Sequence, residues 1–214
     1  MGARAVAFDF NGTLSQDEPI LCEIFMELFA ERGRPLSAQE YFDKLAGLSD
    51  PEIVRTWLGR DHLAVDEVIE ERVRRYQAAV ADGSTVPEEV RAAVLFAAEH
   101  VPIAVVSGAL RAEVAPVLAA AGLGDAVSIL VTAEDVDRGK PDPESYRKAL
   151  ALFDSGISAG EVVALEDTEA GVESAKRAGM HTIAVLGTLA PERLSRADQI
   201  VDRLDVELMR RILA

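Results

Sequence analysis

A single cysteine, Cys22, leaves no partner for a disulfide within the 214 residues, and a reducing, cytoplasmic setting is expected. Cys22 lies in an apolar helical run, which reads as a packed core thiol rather than a nucleophile. No apolar run is long enough to span a bilayer, and no signal-peptide pattern is expected at Met1-Gly2-Ala3-Arg4. Internal repeats and low-complexity tracts are also missing. Positive charge is scarce: 22 Lys and Arg stand against 37 Asp and Glu, a net charge of -15. Such a surface repels nucleic acid and anionic membranes, so neither is an expected partner. It also means that any anionic ligand must be captured by local groups rather than by the overall field. What remains is 49% hydrophobic and 28% charged residues, an ordinary globular composition long enough for one core domain and a small accessory one.

Five short apolar runs have strand character: Arg4 to Phe10, Val101 to Ser107, Val127 to Thr132, Glu161 to Leu165 and His181 to Leu186. They do not alternate with polar residues, which suits strands buried on both faces of a parallel sheet. Ile200 and Val201 suggest a weak edge strand. Helical patterns follow at Pro87 to His100, Arg111 to Ala121, Pro143 to Phe153 and Glu169 to Gly179, and a closing helix is expected from Asp205 to Ala214. Strand-helix alternation predicts an open, Rossmann-like parallel α/β sheet.

The stretch from Pro19 to Gly83 breaks that rhythm, with four helical segments and no strand. Each ends in glycine, at Gly33, Gly47, Gly59 and Gly83. Two open on a capping-box pattern, Ser37 with Glu40 and Ser49 with Glu52. The expected organisation is an α/β core of residues 1–15 and 84–214, interrupted by a four-helix cap at 16–83. Ligands of open parallel sheets sit at the carboxyl ends of the strands. The cap leaves from that end, so it is placed to act as a lid, with hinges expected near Thr13 to Glu18 and Gly83 to Pro87.

Four features fall at or after strand ends: Asp9-Phe10-Asn11-Gly12-Thr13, Val105-Val106-Ser107-Gly108-Ala109, Gly139-Lys140-Pro141-Asp142-Pro143 and Leu165-Glu166-Asp167-Thr168. Asp9 and Asp167, with Glu166 beside them, can hold a hard dication such as Mg2+ through oxygen. Ser107 and the backbone N–H groups around Gly108, at a helix start, can grip phosphate oxygens. Lys140 can offset charge on a phosphoryl group and on an attacking carboxylate. Asp9 can attack phosphorus to form an aspartyl phosphate. Taken singly, each feature also fits a turn former, a helix cap or a solvated charge; it is their order along the chain that points to a site.

These motifs resemble the haloacid dehalogenase superfamily, in its phosphatase and β-phosphoglucomutase branch with a helical cap after the first strand. "FDFNGTL", "VVSGA", "GKPDPESY" and "LEDTEAGVESAKRAGM" match its four motifs in order and spacing, and the likeness runs from Arg4 to about Gly187. The resemblance implies Asp9 as nucleophile, Ser107 as phosphate ligand and Lys140 as the charge-balancing base. It implies Asp167 as a direct Mg2+ ligand, Glu166 as a ligand directly or through water, and the backbone carbonyl of Asn11 as a further one. A monomer or weak dimer acting on a small phosphorylated metabolite is expected.

The chain departs from this pattern at residue 11, where the branch's phosphatases and mutases carry a second aspartate that donates and then takes a proton. The amide of Asn11 can do neither, at an expected cost of about 10²–10⁴ in rate. Four readings follow: a slow phosphatase; a phosphatase whose proton comes from His62, Glu18 or Asp17; a binding or sensing protein of the same fold; or a chain in which Asn11 is not native, or deamidates as Asn-Gly is prone to. Related chemistries fit less well. Dehalogenases need no metal, whereas Glu166 and Asp167 ask for one. Phosphonoacetaldehyde hydrolases need a cap lysine, and the one available, Lys44, belongs to the wet face of a helix. A mutase needs the missing acid most of all.

For the substrate's remainder, "AGLSDPEIVRTWLG" occupies the place of the cap's substrate-facing loop, with Arg55 as the candidate ligand. Arg72, Arg74 and Arg75 share the ambiguity between ligand and surface charge. Trp57 reads as a packing anchor, and His100 and His181 as structural residues at strand starts.

Overall fold

The computed structural model describes residues 2–59, 65–153 and 156–214. Six strands form one parallel sheet: β1 (Ala5–Phe8), β2 (Ile103–Val106), β3 (Ile129–Val131), β4 (Val162–Glu166), β5 (His181–Val185) and β6 (Gln199–Val201). Their order is β3-β2-β1-β4-β5-β6. The chain builds outward from β1 to β3, then returns to the other side of β1 for β4. The reversal opens a crevice at the carboxyl ends of β1, β2 and β4, where such sheets bind ligands. The expected edge strand at Ile200 and Val201 is present as β6.

Every residue of β1, β2 and β4 is buried, as their unbroken apolar runs require of strands covered on both faces. One face presents small side chains, Ala5, Ala7, Ala104 and Ala164, on which α7 (Glu144–Leu152) and α8 (Glu169–Arg177) settle through Tyr146, Ala149 and Ala175. The other presents Val6, Phe8, Ile103, Val105 and Leu165. It is covered by α5 (Glu88–Ala98), α6 (Arg111–Ala120) and α9 (Val206–Leu213). β1, β2 and β3 are each three residues shorter than their apolar runs and β5 one, whereas β4 keeps its length; β1 stops at Phe8, one residue before Asp9.

Between β1 and α5 lie α1 (Glu18–Glu31), α2 (Ala38–Lys44), α3 (Asp50–Leu58) and α4 (Val65–Val80). Ser37 caps α2 in a capping box with Glu40, and Ser49 and Glu52 do the same for α3. Phe25, Phe29 and Tyr41 stack at their centre, with ring centroids 5.5 Å and 6.1 Å apart. Cys22 is buried against Met26 and makes a packed thiol. Trp57 stacks on Phe29 and donates its indole N–H to the Arg34 carbonyl at 2.8 Å, an anchor between α3 and α1. The two linkers to the helical segment are tied together: Gln16 N–H donates to Thr85 O at 2.7 Å, and the Ser15 and Thr85 hydroxyls bond at 2.8 Å. Among the described residues no helix is long and apolar enough to cross a membrane.

Phe8 fills the core under the central strand with none of its surface exposed. Phe8→Ala is expected to lower the unfolding free energy by about 3–5 kcal/mol, read as a lower urea midpoint at unchanged m-value. A loss below about 1 kcal/mol would contradict this packing.

Candidate active site

Asp9 follows β1 directly and still donates its N–H to Leu165 O at 2.9 Å, so β4 fixes its backbone. The chain then folds back on itself, with the N–H groups of Leu14 and Ser15 both bonding Phe10 O at 2.9 Å. Gly12 makes this turn possible, with φ of 78°. A Cβ there would lie 1.9 Å from Asp167 Oδ2, so the glycine also allows the turn to touch the end of β4. Ser107 follows β2. Its N–H is held by Val131 O at 2.9 Å, and its Oγ accepts the Ala109 N–H at 3.0 Å. Lys140 reaches in from the loop after β3, just before a cis bond to Pro141.

The side chains meet around the Lys140 ammonium. Its Nζ lies 2.5 Å from Asp9 Oδ1, 2.6 Å from Glu166 Oε1 and 3.0 Å from Val106 O. Tyr146 donates its hydroxyl to the same Glu166 oxygen at 2.7 Å, and the ammonium sits 5.2 Å from the centre of its ring. Thr13 donates to Asp167 Oδ1 at 3.3 Å. Asp167 Oδ2 is buried without a hydrogen bond of normal geometry, although the Thr188 hydroxyl beside it eases its charge.

Carboxylate oxygens of Asp9, Glu166 and Asp167 lie within 4.8 Å of one another. Three carboxylates against one ammonium leave two negative charges uncompensated when all are ionised. The imbalance is visible in the acids themselves. Burial pushes the Asp9 carboxyl up to about 7, with the Lys140 ammonium opposing and Glu166 adding to the rise. Burial, and then the charges of Asp9 and Glu166, push Asp167 well above the usual carboxylate range. A hard dication matches both the charge deficit and the all-oxygen donor set, and Asp167 Oδ2 is free to bind it.

Asn11 sits at the rim of this group. Its Oδ1 accepts the Ser107 hydroxyl at 3.4 Å, and its Nδ2 donates to Asp17 Oδ2 at 2.9 Å. Tyr76 of α4 closes the arrangement, bonding both Asn11 Nδ2 (3.3 Å) and Asp17. Asp17 is fully buried, and burial pushes its carboxyl up against the opposing bonds from Tyr76, Ser15 and Asn11.

A cavity of about 430 Å³ opens over these residues and continues beneath α1–α4. Asp9, Asn11, Ser107, Gly108, Lys140 and Asp167 line one end. Glu166 lies just behind, fully buried. Glu18, Tyr41, Asp50, Arg72 and Glu113 belong to the rest of the wall. Burial pushes Glu18 up to about 7, with the hydrogen bond from Tyr41 opposing.

Arg55, the expected substrate ligand, is exposed on α3 and is not among the residues that line the cavity. Asp50 and Ile53 face the cavity, and Arg55 lies about 200° round the helix from Ile53. Arg72 does line it, buried and paired to Asp50 of α3 and Glu113 of α6. Arg74 and Arg75 pair with Glu71, and Arg75 also with Glu27 and Glu31, away from the cavity. Lys44 is exposed, paired to Glu40 and held over the Trp57 ring, so it has no access to the site. His181 opens β5, exposed at the opposite end of the sheet. His62 lies outside the described residues.

Sequence reasoning missed Tyr146, Asp50 and Glu113, and it missed the role of Gly171. A Cβ on Gly171 would fall within 1.8–2.1 Å of the whole Glu166 carboxylate, so α8 can pass behind Glu166 only as glycine. Gly171 stands in the quoted fourth motif, and a glycine within the first turn of a helix beside two acids was the available signal.

Residues 6–185 match the family described as haloacid dehalogenase-like hydrolase. Validoxylamine A 7'-phosphate phosphatase of Streptomyces hygroscopicus subsp. limoneus is 29% identical over 94% of both chains. Phosphoglycolate phosphatase of Pectobacterium atrosepticum is 29% identical over 94% of this chain and 88% of its own. Among solved structures, an Asp-to-Asn variant of CbbY from Rhodobacter sphaeroides, in complex with xylulose-(1,5)bisphosphate, superimposes with a TM-score of 0.84 at 26% identity, covering 96% of each chain.

The close approach at Gly171 is testable without any assay of activity. Gly171→Ala is expected to push Glu166 off Lys140 and Tyr146 and to lower the unfolding free energy by about 1–3 kcal/mol. Stability equal to the parent in urea denaturation would show that Glu166 has room to move and that the contact constrains nothing.

Proposed function

The chain belongs to the haloacid dehalogenase-like hydrolase family and is a phosphohydrolase, and we propose that it hydrolyses small phosphate monoesters with Mg2+ through a phosphoryl group carried on Asp9. The observation that carries this reading is the Lys140 ammonium, 2.5 Å from Asp9 and 2.6 Å from Glu166, beside the uncoordinated oxygen of Asp167. We assign α1–α4, within residues 16–83, as a cap over a core of residues 1–15 and 84–214. A cytoplasmic monomer or weak dimer is part of the same reading.

Asp9, Asp167, Glu166 and the main-chain carbonyl of Asn11 are the residues that would hold Mg2+. When bound, the ion supplies charge neutralisation to the transferring phosphoryl group and to the carboxylates around it. Ser107 Oγ and the N–H groups at the start of α6, near Gly108, take the phosphate oxygens. Lys140 keeps Asp9 in its attacking geometry and neutralises charge on the phosphoryl oxygens. The Asp9 carboxylate attacks phosphorus, the P–O bond to the substrate alcohol breaks, and the departing oxygen takes a proton. Water then attacks the aspartyl phosphate, releasing inorganic phosphate and one proton and restoring Asp9. The relatives' names support the ester class: they are phosphatases of phosphoglycolate and of a phosphorylated natural product.

Asn11 has no proton to give the departing alcohol. Good leaving groups, which need none, are therefore the better substrates. The local geometry supports a smaller gain from a single exchange than from a paired one. An aspartate at residue 11 would face the buried Asp17 across a contact of 2.9 Å, and two carboxylates at that distance oppose each other's ionisation. The same hydrogen bonds favour a second reading, a phosphometabolite sensor, since they hold residue 11 as a fixed donor rather than an acid. A sensor would show ligand-dependent thermal stabilisation without repeated turnover.

With p-nitrophenyl phosphate and Mg2+ the protein is expected to turn over steadily, and to stop with EDTA or as Asp9→Ala. The paired variant Asn11→Asp with Asp17→Asn is expected to raise kcat for poor leaving groups by about 10²–10⁴-fold, and Asn11→Asp alone by less. Equal rates for the single and paired variants would refute the coupling. No turnover by any of them would sink the enzymatic reading in favour of the sensor.

A further inference from the structure

Among the described residues, the far wall of the cavity carries more acid than base. Of the described residues that line the whole cavity, the basic ones are Lys140, at the Asp9 end, and Arg72, at the far wall. Lys140 is held by Asp9 and Glu166. Arg72 is held at both ends of its guanidinium, by Asp50 from α3 and Glu113 from α6. Its plane lies 5.7 Å from the Tyr76 ring, which fixes it further. Glu18 adds a third carboxyl group to this wall and accepts the Tyr41 hydroxyl at 2.9 Å. Three acids thus meet one cation, and that cation is already shared between two of them.

Resting on the phosphatase reading above, we propose that the substrates are hydroxyl-rich monophosphates with no second anionic group: polyol, sugar or amino-polyol phosphates. Among the described residues, a carboxylate or second phosphate at the far end would meet no cation but Arg72, whose two terminal nitrogens are already taken, and would stand against Glu18, Asp50 and Glu113, a like-charge juxtaposition that rejects a ligand. A hydroxyl suits the same wall, because it donates to a carboxylate in a charge-assisted hydrogen bond. An ammonium suits it as well, by balancing the surplus acid. Leu21, Phe25, Leu48, Ile53 and Ile69 supply apolar surface for the C–H faces of such a ligand. A cavity of about 430 Å³ also exceeds the needs of a two-carbon phosphate. Arg72 is therefore a positioning residue: it joins the acids of the cap helices to the acid of the core, and it does not itself capture an anion.

The test compares a hexitol monophosphate and glucosamine phosphate with phosphoglycolate and a sugar bisphosphate, by kcat/KM and by ligand-induced rise in Tm. The first pair is expected to exceed the second by about 10²-fold or more in kcat/KM, and to stabilise more at equal concentration. Glu113→Gln frees one arm of Arg72 and is expected to shift the ratio toward phosphoglycolate by about tenfold. Asp50→Asn, at a half-buried position, should give the same shift if Glu113→Gln does not fold. Preference of the parent protein for phosphoglycolate or the bisphosphate, in either readout, overturns the proposal, as does an unchanged ratio in a folded variant. Failure of the phosphatase reading is separate: it shows as no hydrolysis of p-nitrophenyl phosphate, while the order of thermal stabilisation still decides the substrate class.

Discussion

A buried ammonium holds the site together. Lys140 touches a carboxylate after β1, a carbonyl at the end of β2 and a carboxylate at the end of β4. Those three strands are neighbours only because the sheet reverses at β1. Charges this deep are costly unless paired, and each partner of Lys140 is correspondingly expensive to remove. The arrangement constrains more than the charged residues. Tyr146 must reach the same Glu166 oxygen, Gly171 must stay without a side chain, and Gly12 must turn tightly against Asp167. Small residues on one face of β1, β2 and β4 let α7 and α8 approach closely enough for Tyr146 and Gly171 to do so.

The helical segment is fixed to the core by polar contacts as well as by apolar packing. From α4, Arg72 reaches Glu113, Tyr76 accepts from Asn11 Nδ2 at 3.3 Å, and Gln77 donates to Ala112 O at 2.9 Å. This seam ends at Asn11, which joins it to Ser107. Residue 11 is thus a junction between α4 and the loops after β1 and β2. Its amide supplies the donor that buried Asp17 needs, so Asn11 and Asp17 are best understood as a pair.

Much of this was legible in the sequence, and the failures are instructive. Unbroken apolar runs gave a parallel sheet because burial on both faces removes the need for alternation. Glycines ended the four inserted helices because each adopts positive φ, between 69° and 111°. The four site motifs could be placed at strand ends because topology puts those ends together. What could not be read was which side of a helix meets the cavity. Arg55 and Arg72 look alike in the sequence, yet one is exposed and the other buried. The difference depends on a partner, Glu113, 41 residues away from Arg72. Tyr146 and Gly171 belonged to recognised motifs, but their service to Glu166 follows from a close approach of helices that spacing alone does not specify.

The two ends of the cavity solve one problem in different ways. Each holds surplus acid. Near Asp9 the surplus is concentrated: three carboxylate oxygens within 4.8 Å of each other, one of them without a partner. Close, convergent oxygens of that kind suit a small, doubly charged ion. At the far wall Glu18, Asp50 and Glu113 come from three different elements, and Arg72 already spans two of them. Dispersed acceptors cannot converge on one ion, but they can each take a hydrogen bond from a different hydroxyl. The electrostatics therefore orients a ligand before any contact is optimised. On the proposed reading a phosphate belongs at the end that holds Lys140 and the convergent oxygens that would bind a dication, and an uncharged, donor-rich portion at the other.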